Sequence, residues 1–159
     1  MSHVASDLVL TVPAMSAVEA FHPWRRFRAL GDAWRLVWHH PDDSDNLGET
    51  DFEARTISLR SDLTWEERRC TIAHEVIHAE RGPAPIALVE REELIVRRLA
   101  ARRLLPDIRV VGEALAWSQC RVRGAAEELG VDVDTLWDRL DALHGWEHFY
   151  LKNRLAEVG

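Results

Sequence analysis

The chain has 159 residues, of which 47% are hydrophobic and 30% charged. That is one domain's worth of an ordinary globular composition, and it excludes a largely unstructured chain. The net charge of −7 argues against a protein whose main task is gripping nucleic acid.

Two cysteines, Cys70 and Cys120, give no disulfide framework. No run approaches the ~18 apolar residues of a membrane span. Leu8–Val12 is apolar, but Asp7 abuts it and no basic segment precedes it, so it does not read as a signal peptide. The expectation is a reduced, soluble, cytoplasmic protein. Of the 20 basic residues only Lys152 is lysine, a bias we read as genomic.

Residues 1–15 are weakly patterned and read as a loose arm. Ser16–Phe21 can start a helix that Pro23 interrupts. Pro23 suits the first turn of a new helix, with Trp24, Phe27 and Leu30 on one face and Gly31 ending it. Ala33–His39 alternates, with Trp34, Leu36 and Trp38 on one side, and predicts a half-buried strand. Pro41–Asn46 is a polar loop. Glu49–Glu53 and Thr56–Arg60 read as two further strands.

At Thr64 the period becomes helical. Thr64 and Glu67 form a capping box, and the helix should run to Arg81, before Gly82-Pro83. A second long helix is predicted over Ile86–Leu105, stopped by Pro106. Four more follow, over Ile108–Trp117, Val122–Leu129, Val133–Leu143 and Trp146–Leu155. Strands first and helices after predict an α+β fold.

The Thr64 helix contains His74-Glu75-Val76-Ile77-His78, an H-E-x-x-H. Residues four apart share a helix face, so two imidazoles can grip one metal ion. Glu75 sits beside that face and can act as a general base toward a water at the metal. The plainer alternative is two surface histidines that share a face by accident. The position deep in a capped helix, among Ile72, Ala73, Val76 and Ile77, favours the metal reading.

A catalytic site needs a third ligand. The metzincin extension fails, because Arg81 and Ala84 stand where its Gly and third His belong. The next helix offers Glu90, Glu92 and Glu93 as candidates, with Glu90, Glu93 and Arg97 on one face. Such acids can equally form a solvated stripe paired with arginine.

Arg69–His78, Glu90–Glu93 and Leu99–Pro106 together resemble the ImmA/IrrE family of metallo-endopeptidases. The likeness is sharpest over Thr56–Pro106 and extends more loosely to short actinobacterial and actinophage members. It implies a zinc ion held by His74, His78 and Glu93, with Glu75 as general base. Glu93 is singled out by counting back from Pro106. It also implies a protein or peptide substrate, such as a transcriptional repressor. One position departs from the pattern: four residues after the ligand Glu the family usually has Asn or Asp, and this chain has Arg97. Arg97 cannot accept a hydrogen bond, and it is placed to pair with Glu93 in competition with a metal.

Three other patterns carry less. His144-Gly-Trp-Glu-His148 is formally an inverted H-x-x-E-H, but Gly145 weakens the helix and too little chain follows for a third ligand. Cys70 lies one turn before His74 and reads as a small buried residue rather than a thiolate ligand. Residues 125–140 resemble a helix-turn-helix with Gly130 at the turn. Residues 121–141 carry six acids against three bases, which disfavours phosphate contact, so this motif should pack on the catalytic part or dock a protein partner. The tryptophans mostly read as core, with Trp34, Trp38 and Trp65 candidates to line a cleft.

The expectation is a zincin-like α+β unit: a small, mostly antiparallel sheet over the H-E-x-x-H helix, and a helical C-terminal bundle. Residues 1–106 would form the core and 107–159 a subdomain packed on it. Thr56–Arg60 is the candidate edge strand for substrate. His144, His39 and Tyr150 are the candidates for stabilising an oxyanion. Rival readings are a non-catalytic zincin-fold binding module and a helix-turn-helix regulator.

Overall fold

The computed structural model describes residues 21–158, so the expectations for residues 1–15 and for a helix beginning at Ser16 lie outside the described residues. Among the described residues the fold is α+β, with seven α-helices and a three-stranded sheet. Pro23–Ala29 is α1, followed by strands β1 (Arg35–His39), β2 (Gly48–Asp51) and β3 (Thr56–Arg60). Then come α2 (Trp65–Arg81), a 3₁₀ turn at Ile86–Leu88, and α3 (Val89–Leu104). Helices α4 (Ile108–Trp117), α5 (Val122–Leu129), α6 (Val133–Asp141) and α7 (Gly145–Ala156) complete the chain. Among the described residues no helix is long and apolar enough to cross a membrane.

The strand order is β1-β3-β2, with β1 parallel and β2 antiparallel to β3. The sheet is therefore mixed, not mostly antiparallel. The loop 40–47 carries the chain from one edge of β3 to the other, which leaves β1 running the same way as β3. Alternation along a strand records which face is buried but not which strand lies beside which. β3 is consequently the central strand, not an edge, and β2 is the edge strand near the site.

Ile57 and Leu59 of β3 are fully buried against Ile72 and Val76 of α2, with Trp24, Phe27 and Leu30 packed beside them. Another side of α2 joins a helical core: Cys70 and Ala73 pack with residues of α4, α5 and α6, while Ile77 packs with Val96 and Ala100 of α3. Helix α2 is thus covered by sheet on one side and helices on another. The expected capping box is present: Thr64 Oγ1 accepts from the Glu67 amide at 3.2 Å, and Glu67 accepts from the Thr64 amide at 2.9 Å.

The tryptophans depart from expectation. Five of the seven, Trp38, Trp65, Trp117, Trp137 and Trp146, are exposed. Arg68 stacks over Trp38 and Arg69 over Trp65. Helical spacing places a residue on a stripe but does not say which stripe faces the core.

A buried ionic cluster joins the C-terminal helices to α3. Arg139 of α6 and Glu147 of α7 are fully buried and paired, with Arg102 of α3 adding two contacts of 3.2 Å to the same carboxylate. Arg139 Nε also donates to the Leu105 carbonyl at 2.8 Å. Burial alone would raise the Glu147 carboxyl, but Arg139, the His144 amide and Arg102 bring it down to about 2. The inverted H-x-x-E-H therefore spends its acid on holding helices together.

Glu147→Gln should leave Arg139 buried without a counter-charge and cost about 3–5 kcal/mol, measured by urea denaturation. Because the folded pKa lies below the unfolded value of ~4.3, the native contribution is complete above that value and fades as pH falls toward about 2. An acid titration of the wild type should therefore show stability declining across that window, with the decline shallower in the Gln variant.

Candidate metal centre

His74 and His78 project from the same face of α2, and Glu93 meets them from the second turn of α3. The two Nε2 atoms lie 3.0 Å apart. Glu93 Oε1 is 3.1 Å from His74 Nε2, and Oε2 is 3.1 Å from His78 Nε2. Ligand atoms sharing a tetrahedral ion at ~2.0–2.1 Å sit ~3.3 Å from one another. The triad matches that spacing, so this His-His-Glu group can hold a metal ion.

The electrostatics agree. Hydrogen bonds from both histidines hold the Glu93 carboxyl well below the usual range. Burial pulls the His74 pKa down, but Glu93 and Glu75 outweigh it and the net shift is upward. Two imidazoles and a carboxylate facing one point form a cradle for positive charge.

Glu75 is buried beside this triad rather than within it. Thr50 of β2 donates its hydroxyl to Glu75 Oε2 at 2.8 Å and lies 3.1 Å from the Glu75 carbonyl. Burial raises the Glu75 pKa, only partly countered by His74 and Thr50. The strand reaches this close because residue 48 is glycine. A Cβ there would stand 2.5 Å from the Thr71 methyl and 3.0 Å from the Glu75 side chain. Nothing in the local sequence marked Thr50 or Gly48, because their roles arise from β2 lying across α2.

A cleft of about 260 Å³ opens over the site. Asn46, Leu47 and Gly48 form one wall, His74, Glu75 and Glu93 the floor, and Asp132, Asp134 and Asp138 the wall from α6. Of the tryptophans proposed to line a cleft, none lines this one. The oxyanion candidates also sit elsewhere. His39 bonds the Asn46 carbonyl at 3.0 Å, Tyr150 packs over Gly112, and the His144 amide caps α7 through Glu147.

Among the residues lining this cleft the single arginine or lysine is Arg97. It does not take Glu93. Its Nε and Nη2 grip the two carboxylate oxygens of Asp138, with the Nε contact at 3.0 Å. The expected competition with a metal is therefore diverted across the cleft. Glu92, one of the alternative ligands, pairs with Arg81 instead, and Glu90 is exposed. Cys70 is buried, its thiol pushed up to about 12 chiefly by burial, and it stands outside the group formed by His74, His78 and Glu93.

The helix-turn-helix is also engaged. Gly130 takes φ +64 at the turn, and its carbonyl accepts from Arg69 Nη1 at 2.5 Å. Helix α6 lies against α3 and turns Asp134 and Asp138 into the cleft wall. Comparison with family models, curated proteins and solved structures returns no match.

Purified protein should take up one divalent metal per chain by elemental analysis, and Glu93→Ala should lose it. Asp138→Ala should weaken metal binding by about 10–100-fold in a chelator competition, because Arg97 is then free to turn to Glu93. An unchanged affinity would show that Arg97 never competes.

Proposed function

We propose that this chain is a cytoplasmic, zinc-dependent endopeptidase with a zincin-like core, of the ImmA/IrrE type. The observation that carries the reading is the convergence of His74, His78 and Glu93 beside a buried carboxylate that is not part of the triad. Two nitrogens and one oxygen suit zinc, and three protein ligands are the number that leaves a catalytic position open. A zinc ion held there would polarise a carbonyl and lower the pKa of a water to ~7.

The chain's own residues supply the rest. Glu75, with its pKa raised by burial, is suited to take a proton from the attacking water and pass it to the leaving amine. Thr50 fixes one of its oxygens and so aims the other. Strand β2 starts at the cleft wall with Gly48, and its free edge would offer backbone groups to an extended peptide, the role first expected of β3. The substrate we expect is a regulatory protein such as a transcriptional repressor, entering as an extended segment.

The rival binding-module reading rested on Arg97 disabling the metal site. The Arg97–Asp138 pair removes that motive. The regulator reading needs α6 to be presented to DNA, and α6 is instead a wall of the cleft.

Glu75→Gln should keep its metal and cut hydrolysis of quenched fluorescent peptide mixtures by about 10²–10⁴-fold. Thr50→Val should keep the metal and lower kcat more than it raises KM. Cleavage retained by Glu75→Gln would overturn the assignment of the base. A wild-type chain that refuses metal would overturn the whole reading.

A further inference from the structure

Helices α4 and α7 share an outward face that the catalytic reading does not use. Among the described residues, Trp117 is 73% exposed, Phe149 68%, Trp146 62% and Val110 57%. Val110, Glu113 and Trp117 follow one stripe of α4. Trp146, Phe149 and Asn153 follow one stripe of α7. The two helices pack directly, because Gly112 admits Tyr150 and Leu151, where a Cβ would stand 2.9 Å from the tyrosine ring. Arg109, Trp146, Phe149 and Tyr150 border a groove of about 630 Å³ between them. Contiguous apolar patches of more than a few hundred Å² are uncommon on monomers.

We infer that this face is the interface between two copies of the chain, related by a two-fold axis. Charge is the first argument. Each copy carries −7, so approach through most of its surface is opposed. On this face three carboxylates are paired with two arginines, so little net charge opposes contact. Arg154 is bound by Glu113 at 2.7 and 2.9 Å and by Glu157 at 3.3 Å, and Arg109 by Asp107 at 3.1 Å. Charges already paired within one copy add little repulsion to an isologous contact.

Area is the second argument. Three aromatic side chains, each about two-thirds exposed, offer roughly 300–500 Å² of removable apolar surface. Val110, Tyr150 and the arginine stems extend this toward the ~800 Å² per partner of a stable interface. The groove shares no lining residue with the cleft at His74 and Glu93.

Sedimentation equilibrium of the full chain, from about 1 to about 100 µM, tests the inference. The expected mass rises with concentration to twice the 18.2 kDa monomer. Trp146→Ser with Phe149→Ser should shift the midpoint at least tenfold toward monomer while preserving the circular dichroism spectrum. Trp38→Ser, an exposed tryptophan on β1, should leave the dimer intact. A wild type that stays monomeric throughout overturns the inference. So does a dimer that survives the double substitution, or a monomer that binds phosphatidylcholine vesicles through these aromatics. None of these outcomes bears on metal binding or hydrolysis, so the inference and the proposed activity stand or fall separately.

Discussion

The close pass of β2 over α2 at Gly48 is the constraint on which the site depends. With no Cβ in the way, the strand settles against Thr71 and Glu75. That contact buries Glu75, raises its pKa and brings Thr50 to its carboxylate. It also makes one wall of the cleft out of an edge strand. Around the axis of α2, one stripe faces the sheet, one faces the helices and one meets β2. Cys70 and His74, one turn apart, line the cleft, and Cys70 is buried. A helix buried on most sides leaves little choice about where its polar side chains meet a ligand.

Two arginine pairings then hold α6 and α7 to α3. The exposed one, Arg97 with Asp138, spans the cleft. The buried one, Arg139 with Glu147 and Arg102, locks the ends of three helices. Their energetics differ. An exposed pair adds little to stability, so Arg97–Asp138 matters for where a charge is kept. A buried pair is costly to break from one side, so Arg139–Glu147 matters for whether the helices stay docked.

Local features were legible in the sequence, and relations between distant segments were not. The capping box, the H-E-x-x-H face and the helix stops at Gly82 and Pro106 are written within a few residues of one another. The helix-turn-helix was legible as a shape, but not that its second helix would turn Asp134 and Asp138 toward the cleft. Glu93 could be separated from Glu90 and Glu92 only through the family resemblance, because all three are acids in the same two turns of α3. In the folded chain it is separated by geometry: Glu92 meets Arg81, and Glu93 meets the histidines. The order of the strands was illegible, since alternation is blind to neighbours. The exposure of Trp117 and Trp146 was illegible for a related reason: a stripe's spacing does not name its partner.

Arg97 shows why a single departure from a pattern the chain only resembles is hard to judge in isolation. Seen along α3 alone, it is a cation one turn from the candidate ligand Glu93, and the nearest acid is the one it should not take. The fold adds a second acid, Asp138, from a helix 41 positions further along the chain. Bidentate arginine–carboxylate geometry favours whichever acid can present both oxygens to the guanidinium. Glu93 has turned one oxygen to each histidine, so Asp138 is the better partner. The same two-oxygen requirement that makes Glu93 a bridging group for His74 and His78 therefore keeps it away from Arg97. The His74–His78–Glu93 group and the arginine pair are in this sense one arrangement, with each carboxylate committed by its own geometry.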